Sequence, residues 1–131
     1  MANVENYSSH RNSAAWQKGM ELTRLIYKVT RNFPPDERFG LTNQLRRASV
    51  SIPSNIAEGK GRLTIGEFIQ FLGIARGSTL EVQTQLEIAS DLGFGDSTQM
   101  AEAQALVMEE LLILNASLST LCAKQAAKKQ R

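Results

Sequence analysis

The chain has 131 residues and a formal net charge of +2, a length that favours one domain over two. Leu, Ile, Val and Phe supply 33 residues, or 25% of the chain, which is enough for an ordered core. Glycine (9) and proline (3) are few, so helices are favoured over a turn-rich all-β fold. A single cysteine, Cys122, excludes an intramolecular disulfide, and a single histidine, His10, argues against multi-histidine metal sites and triad chemistry.

Targeting signals are absent from the sequence, and charge is unevenly distributed along it. No stretch approaches the ~18 apolar residues of a membrane span, and no signal-peptide pattern is visible, so we expect a cytoplasmic protein. Residues 38–62 and 124–131 each carry a net charge of +4, whereas residues 96–123 carry −4 with no basic residue. This segregation indicates either an anionic partner or helices whose charges match within the fold or between subunits.

The first two of four predicted helices cover residues 12–32 and 38–58. In the first, Ala15, Leu22 and Val29 recur every seven residues, which is typical of a helix with one buried face. Pro34-Pro35 then ends it. The second helix has its apolar stripe at Leu41, Leu45, Ala48, Ile52 and Ile56.

Pro53 lies inside that second stripe. It has no amide hydrogen and clashes with the carbonyl of Ser49. We therefore expect the helix to continue through Pro53 with a bend. Nearby serines, at positions 49, 51 and 54, are candidates to compensate for the lost hydrogen bond.

The third and fourth helices are predicted from caps and periodicity. Thr64 and Glu67 fit the capping box, and Gly93 suits a left-handed helix end after residue 92. Asp96 resembles the cap of the fourth helix, whose seam holds Met100, Ala103, Val107, Leu111, Leu114, Leu118 and Leu121. Residues 1–11 are predicted to be a disordered lead, and the basic tail 124–131 is expected to fray.

Short connections between four amphipathic helices predict an all-α, up-and-down four-helix bundle in a single domain over residues 1–131. The fourth helix carries more apolar residues than one seam needs, with Leu106 and Ile113 on one flank and Met108 and Leu112 on the other. These side chains either enlarge the core or form a contact between subunits. We expect self-association through Leu106, Leu112 and Ile113.

Residue constellations that support catalysis or cofactor binding are missing from the sequence. A di-iron bundle needs two Glu-x-x-His motifs, and the serines at 49, 51 and 54 lack a nearby histidine base. The run Gly59-Lys60-Gly61-Arg62 either binds phosphate or is a plain connector, since it lacks the P-loop pattern. Cys122 is interpreted as a small apolar side chain that fills space in the fold. We expect no catalytic residue, no cofactor and no metal site.

Arg46 and Arg47 flank the buried positions Leu45 and Ala48, so they point to the two sides of the second helix. Two interpretations remain open. The arginines either pack over apolar surface and pair with acids of the third or fourth helix, or they form an arginine ring that binds phosphates on an oligomer face.

The stretch from Phe39 to Gly59, FGLTNQLRRASVSIPSNIAEG, resembles the four-helix-bundle proteins encoded by intervening sequences of bacterial 23S ribosomal RNA genes. The resemblance covers about residues 14–95. It includes Trp16, Leu22, Tyr27, Phe33-Pro34, Glu37, Glu67-Phe68, Phe71-Leu72, Ala75-Arg76-Gly77-Ser78 and Glu81 through Gln85.

This resemblance implies a left-handed bundle, a ring-shaped homopentamer and no established enzymatic activity. Distant relatives include the accessory variability protein of diversity-generating retroelements, which implies a nucleic acid and a reverse transcriptase as partners. A structural role is expected for the motif residues Pro53, Ser54, Asn55, Glu58 and Gly59, with Asn55 and Glu58 hydrogen-bonding across the bend.

The sequence thus predicts a non-catalytic, homo-oligomeric interaction protein. Two partner classes remain open. One is RNA or DNA, bound through the basic residues Arg46, Arg47, Lys60, Arg62, Lys128 and Lys129. The alternative is a protein-binding scaffold without affinity for nucleic acid.

Overall fold

Four α-helices make up most of residues 9–130, the part of the chain that the computed structural model describes. Two short 3-10 turns, Ser9–Asn12 and Pro35–Glu37, precede the first two helices, and the described residues contain no β-strand. The all-α fold and the four predicted helices are thereby confirmed. The helices are α1 (Ala14–Thr30), α2 (Leu41–Lys60), α3 (Ile65–Asp91) and α4 (Ser97–Lys129).

Each helix packs antiparallel against the next, and α1 closes the bundle by packing against α4. The end of α1 meets the start of α2, where Arg46 bonds to Thr30. At the opposite end of the bundle, Gly66 near the start of α3 lies beside Gln125 near the end of α4. The connections span only residues 31–40, 61–64 and 92–96, which forces sequential neighbours together.

The predicted caps begin and end the helices. The side chains of Thr64 and Asp96 accept hydrogen bonds from the amides of Glu67 (3.2 Å) and Gln99 (2.9 Å). Gly93, with φ of 75°, ends α3 in the left-handed conformation. The amide of Phe94 then bonds to the carbonyl of Ala89 at 2.9 Å, as in a Schellman motif.

The predicted apolar seams form one core between the helices. Its largest fully buried side chains are Leu22, Ile26, Leu45, Ile52, Ile56, Leu72, Leu86 and Leu114. The tail prediction differs from the structure, because α4 stays helical through Lys129. The predicted lead also differs at its end, where Ser9–Asn12 forms a 3-10 turn; its residues 1–8 lie outside the described part.

Helix α4 corrects the expectation that no stretch of the chain approaches a membrane span. Ser97–Lys129 is long and apolar enough, by length and composition, to cross a membrane, with a best-window mean hydropathy of 1.5. A search for uninterrupted apolar residues misses it because glutamates interrupt the run. The core helix of a bundle passes the same test when it is mostly buried, but only 22% of this apolar window is buried among the other helices, with Val107 and Leu114 fully so.

Pro53 lies within α2, which continues through it to Lys60, as predicted. The compensation comes from another helix rather than from the serines of α2. The hydroxyl of Thr23 on α1 shares its proton between the carbonyl oxygens of Gly19 (2.8 Å) and Ser49 (2.9 Å). The Ser49 carbonyl is the acceptor that a proline at position 53 leaves without its amide. The Ser49 hydroxyl instead donates to the carbonyl of Arg46 at 2.9 Å.

Gly19 marks a close approach of α1 to α2 and α4. A Cβ atom at this position would lie 2.9 Å from Glu110 Oε2, 3.2 Å from Ile52 Cγ2 and 3.4 Å from Pro53 Cδ. The missing Cβ of Gly19 therefore leaves room for the carboxyl group of Glu110 beside Ile52 and Pro53.

Glu110 is a fully buried acid in the core, at 0% exposure. Neither carboxyl oxygen has a hydrogen-bond partner among residues 9–130. Burial raises the pKa of Glu110 to about 8, while the nearby charge of Lys18 opposes the rise. The Lys18 ammonium is already shared between Glu109 (2.9 Å) and Glu21 (3.2 Å), so at neutral pH Glu110 is mostly a neutral acid.

The role of Thr23 predicts a coupled effect of two substitutions. Thr23→Val should destabilise the protein by about 1–2 kcal/mol, because the Ser49 carbonyl loses its donor. In a Pro53→Ala background the cost should fall by about 1 kcal/mol, since the new amide can bond to Ser49. Urea unfolding of the four proteins measures the coupling. Equal costs in both backgrounds would contradict the compensation.

The buried acid predicts a stability that declines with pH. The unfolded chain releases the Glu110 proton near pH 4.5, but the folded protein holds it to about pH 8. Between these values the folded state binds more protons, so stability should fall by up to about 5 kcal/mol as the pH rises from 4.5 to 8.

Glu110→Gln should flatten this slope in urea unfolding at pH 5 to 8. The substitution Glu102→Gln, at an exposed position of α4 outside the Lys18 ion pairs, is the control and should retain the slope. Wild-type stability independent of pH across that range would disprove a buried neutral acid.

Candidate nucleic-acid interface

Arg46 is held in a fixed orientation between α1 and α2. Its Nε donates a hydrogen bond to the Thr30 hydroxyl at 2.9 Å. Its guanidinium group lies over the ring of Tyr27, 4.7 Å from the centroid, a stabilising cation–π arrangement. The predicted packing is therefore present. The predicted ion pair is not, because no carboxylate within the described residues lies within 4.0 Å of Arg46.

Arg47 lies on the other flank of α2 and is exposed. It borders two neighbouring grooves. One lies between α1 and α2 and is shared with Arg46, and the other lies between α2 and α3 beside Ser78 and Glu81. The two arginines thus diverge at their bases, as predicted, but both reach the α1–α2 groove.

Three further basic residues lie on the solvent side of α1 or, in the case of Arg31, at the cap that follows it. Arg24, Lys28 and Arg31 are exposed, and their spacing of i, i+4 and i+7 places them on one helical face. Together with Arg46 and Arg47 they define a surface that we call the basic face. In the described part of the chain the close ion pairs of basic residues involve Lys18 and Arg62, so all five charges of the basic face are uncompensated at short range.

The other basic residues predicted to bind nucleic acid lie at the far end of the bundle. Lys60 ends α2, about 20 Å along the helix from Arg47 at ~1.5 Å per residue, and Lys128 and Lys129 end α4. Arg62 is bound by Glu58 (3.0 Å) and Glu67 (3.8 Å). The structure therefore separates these residues from the arginine pair.

The run around Lys60 is not a glycine-flanked turn, because Gly59 and Lys60 still belong to α2. Gly59 is buried, and a Cβ there would lie 2.8 Å from Phe71 Cβ and 3.0 Å from Phe68 Cδ1. Its role is to let α2 and α3 approach closely.

The motif residues Asn55 and Glu58 do not bond to each other. The Asn55 side-chain amide donates across Pro53 to the Ser51 carbonyl (2.8 Å) and hydroxyl (2.9 Å). The Ser51 hydroxyl in turn lies 2.9 Å from that of Ser78 on α3. Asn55 therefore stabilises the α2–α3 contact, whereas Glu58 binds Arg62 and Ser54 is exposed beside the α1–α2 groove.

The three residues predicted to form an oligomer contact fall into two groups. Leu106 and Ile113 are half-buried and pack against the core of their own chain. Leu112 is 69% exposed, and Met108 beside it is 51% exposed. The fourth helix is therefore apolar partly because it fills the core and partly because it carries an exposed flank.

Sequence reasoning missed two sets of residues. The α1 cations, Arg24, Lys28 and Arg31, were detectable from their spacing on one helical face. Glu110 was detectable because it lies three residues after Val107 and four before Leu114, a position on the buried seam.

The fold and its charges define an all-α four-helix protein with one basic face. The chain belongs to the 23S rRNA-intervening sequence protein family, whose model matches residues 11–116, and this confirms the resemblance noted from the motif. A solved structure, that of a protein with unknown function from the S23 ribosomal protein family of Bacteroides thetaiotaomicron VPI-5482, is similar in fold. The TM-score is 0.72 at 23% identity, over 80% of this chain and 98% of that chain. No curated protein sequence matches the chain.

Proposed function

We propose that this protein is a non-catalytic, homo-oligomeric module that binds nucleic acid through its basic face. The observation that carries the proposal is the grouping of five cations on α1 and α2 without close carboxylates in the described residues. Phosphate binding depends on local rather than net charge, so a chain of net charge +2 is compatible with it.

The orientation of Arg46 supports this function. Its Nε is bonded to Thr30, which leaves the two terminal amino groups of the planar fork available to a phosphate. A preordered arginine loses less conformational entropy on binding than a mobile one. Arg47 and the α1 cations extend the same surface along both helices.

Most exposed acids of the helices lie on α3 and α4, but Glu21 lies on α1 and Glu81 lines the α2–α3 groove beside Arg47. Glu87 and Asp91 are exposed on α3, and Glu102 and Glu109 are exposed on α4. At physiological salt, exposed charges beyond about 8 Å are largely screened. The acids of the α3–α4 face therefore weaken phosphate binding on the α1–α2 face only modestly.

Self-association would multiply this binding, because several basic faces on one particle bind a polyanion with combined strength. An exposed apolar flank on α3 and α4 supports it. Ile74, Ile88, Met108 and Leu112 are each 44–69% exposed, and nothing lies within 4 Å of a Cβ placed on Gly73 or Gly77 of α3. Five subunits is the number that the family resemblance implies.

The same apolar flank favours a second candidate function, a scaffold that binds another protein. Grouped exposed apolar side chains often mark a protein contact, and Met108 and Leu112, one turn apart on α4, form such a group. In this alternative the basic face only solubilises the protein. The salt dependence of binding distinguishes the two functions, since binding through an apolar flank tolerates salt and binding to phosphates does not.

Neutralising the basic face should weaken binding and flatten its salt dependence. For the triple variant R24Q/K28Q/R31Q, the slope of log K against log salt for a 20-nucleotide RNA should decrease by about 0.7 per lost phosphate contact. Fluorescence anisotropy between 50 and 300 mM KCl measures it. K128Q/K129Q is the control. A larger loss of RNA affinity in the control than in the triple variant would indicate that RNA binds at the end of the bundle instead.

Assembly should depend on the exposed flank of α4. Leu112→Glu should shift the protein toward monomer in sedimentation velocity at micromolar concentration, because a charge would be buried in the contact. Leu63→Glu is the control, since Leu63 is 98% exposed in the α2–α3 connection. A wild-type species of 14.5 kDa would show that the chain does not self-associate.

A further inference from the structure

We propose that the groove between α1 and α2 binds single-stranded rather than double-stranded nucleic acid, with bases on its floor and phosphates on its cationic rim. This inference rests on the proposed function and names its substrate class. It follows from what the groove contains besides charge.

The groove contains one aromatic and one apolar side chain, Tyr27 and Val50, among polar and charged ones. It measures about 620 Å³ and is lined by Tyr27, Asn43, Arg46, Arg47, Val50, Ser51 and Ser54. Tyr27 and Val50 are 40% and 41% exposed. Exposed apolar side chains contribute nothing to a surface that binds only phosphates. They can, however, pack against the flat faces of bases.

Arg46 connects the floor to the rim. Its guanidinium carbon lies over the Tyr27 ring, 4.7 Å from the centroid, and arginine side chains and aromatic rings are the surfaces on which unstacked bases pack. The groups beside them, the Asn43 amide and the Ser54 hydroxyl, can donate or accept hydrogen bonds at base edges.

A duplex cannot use this floor. It presents phosphates on the outside and keeps its bases stacked within, so it would contact only the rim cations. Tyr27 and Val50 would then remain in water. A single strand places phosphates on Arg46, Arg47 and the α1 cations while its bases cover these two side chains, and it therefore gains contacts that a duplex does not.

The test compares a labelled 12-nucleotide mixed-sequence RNA strand with the 12-base-pair duplex of the same sequence, by anisotropy in 50 mM KCl. The wild-type protein should bind the strand about tenfold more tightly. Tyr27→Ala and Val50→Ser should each weaken strand binding, by about tenfold for Tyr27→Ala, and leave duplex binding unchanged. Tyr27→Phe, which keeps the ring, should retain strand binding.

Two controls distinguish the possible failures. Arg24→Gln should weaken strand and duplex binding by the same factor, because it removes only charge. Ile74→Ser, at an equally exposed site on α3, should change neither. Two results would overturn this inference and leave the proposed function standing. One is duplex binding as tight as strand binding, and the other is an equal loss of strand affinity and duplex affinity in Val50→Ser. Binding to neither probe would overturn both.

Discussion

The close packing of α1 against α2 and α4 at Gly19 is the constraint on which the rest of the molecule depends. Without a Cβ at that point, α1 comes within contact distance of Ile52, Pro53 and Glu110. One turn further along α1, the Thr23 hydroxyl reaches the Ser49 carbonyl that Pro53 leaves without its amide. The relative position of α1 and α2 is therefore fixed by backbone and hydroxyl groups as well as by apolar burial, and such contacts tolerate little sliding.

The fixed position of α1 on α2 also builds the surface that we associate with function. One and two turns beyond Thr23, Tyr27 and Thr30 meet Arg46 and hold its guanidinium group. Basic residues without a close carboxylate thus lie on α1 and α2, whereas most exposed acids and the most exposed apolar side chains of the helices lie on α3 and α4. One bundle therefore presents two chemically different faces, one suited to polyanions and one to another protein surface.

The presence of an acid, Glu110, at a buried core position is not explained by stability alone. A buried acid without a hydrogen-bond partner costs free energy that a leucine at the same seam position would not. The apolar seams of four helices offset that cost, and burial raises the pKa of Glu110 so that the side chain remains mostly neutral. Its neighbours Gly19 and Pro53 are themselves unusual inside helices, so three residues with poor helix or core preference meet at one point.

Most of the fold was determined by the sequence itself, because apolar periodicity, caps and glycine placement act within a few residues of each other. The helix bounds, the seams and the continuation of α2 through Pro53 all follow from such local patterns. The family was likewise evident from the continuous stretch around Arg46 and Pro53. Only the tertiary structure decided which helix compensates for Pro53, that Gly59 is buried against Phe71, and that Arg24, Lys28 and Arg31 join Arg46 and Arg47 while Lys60 and the tail do not. These features depend on which faces of separate helices meet, and that is set by packing across the bundle rather than by neighbours in the chain.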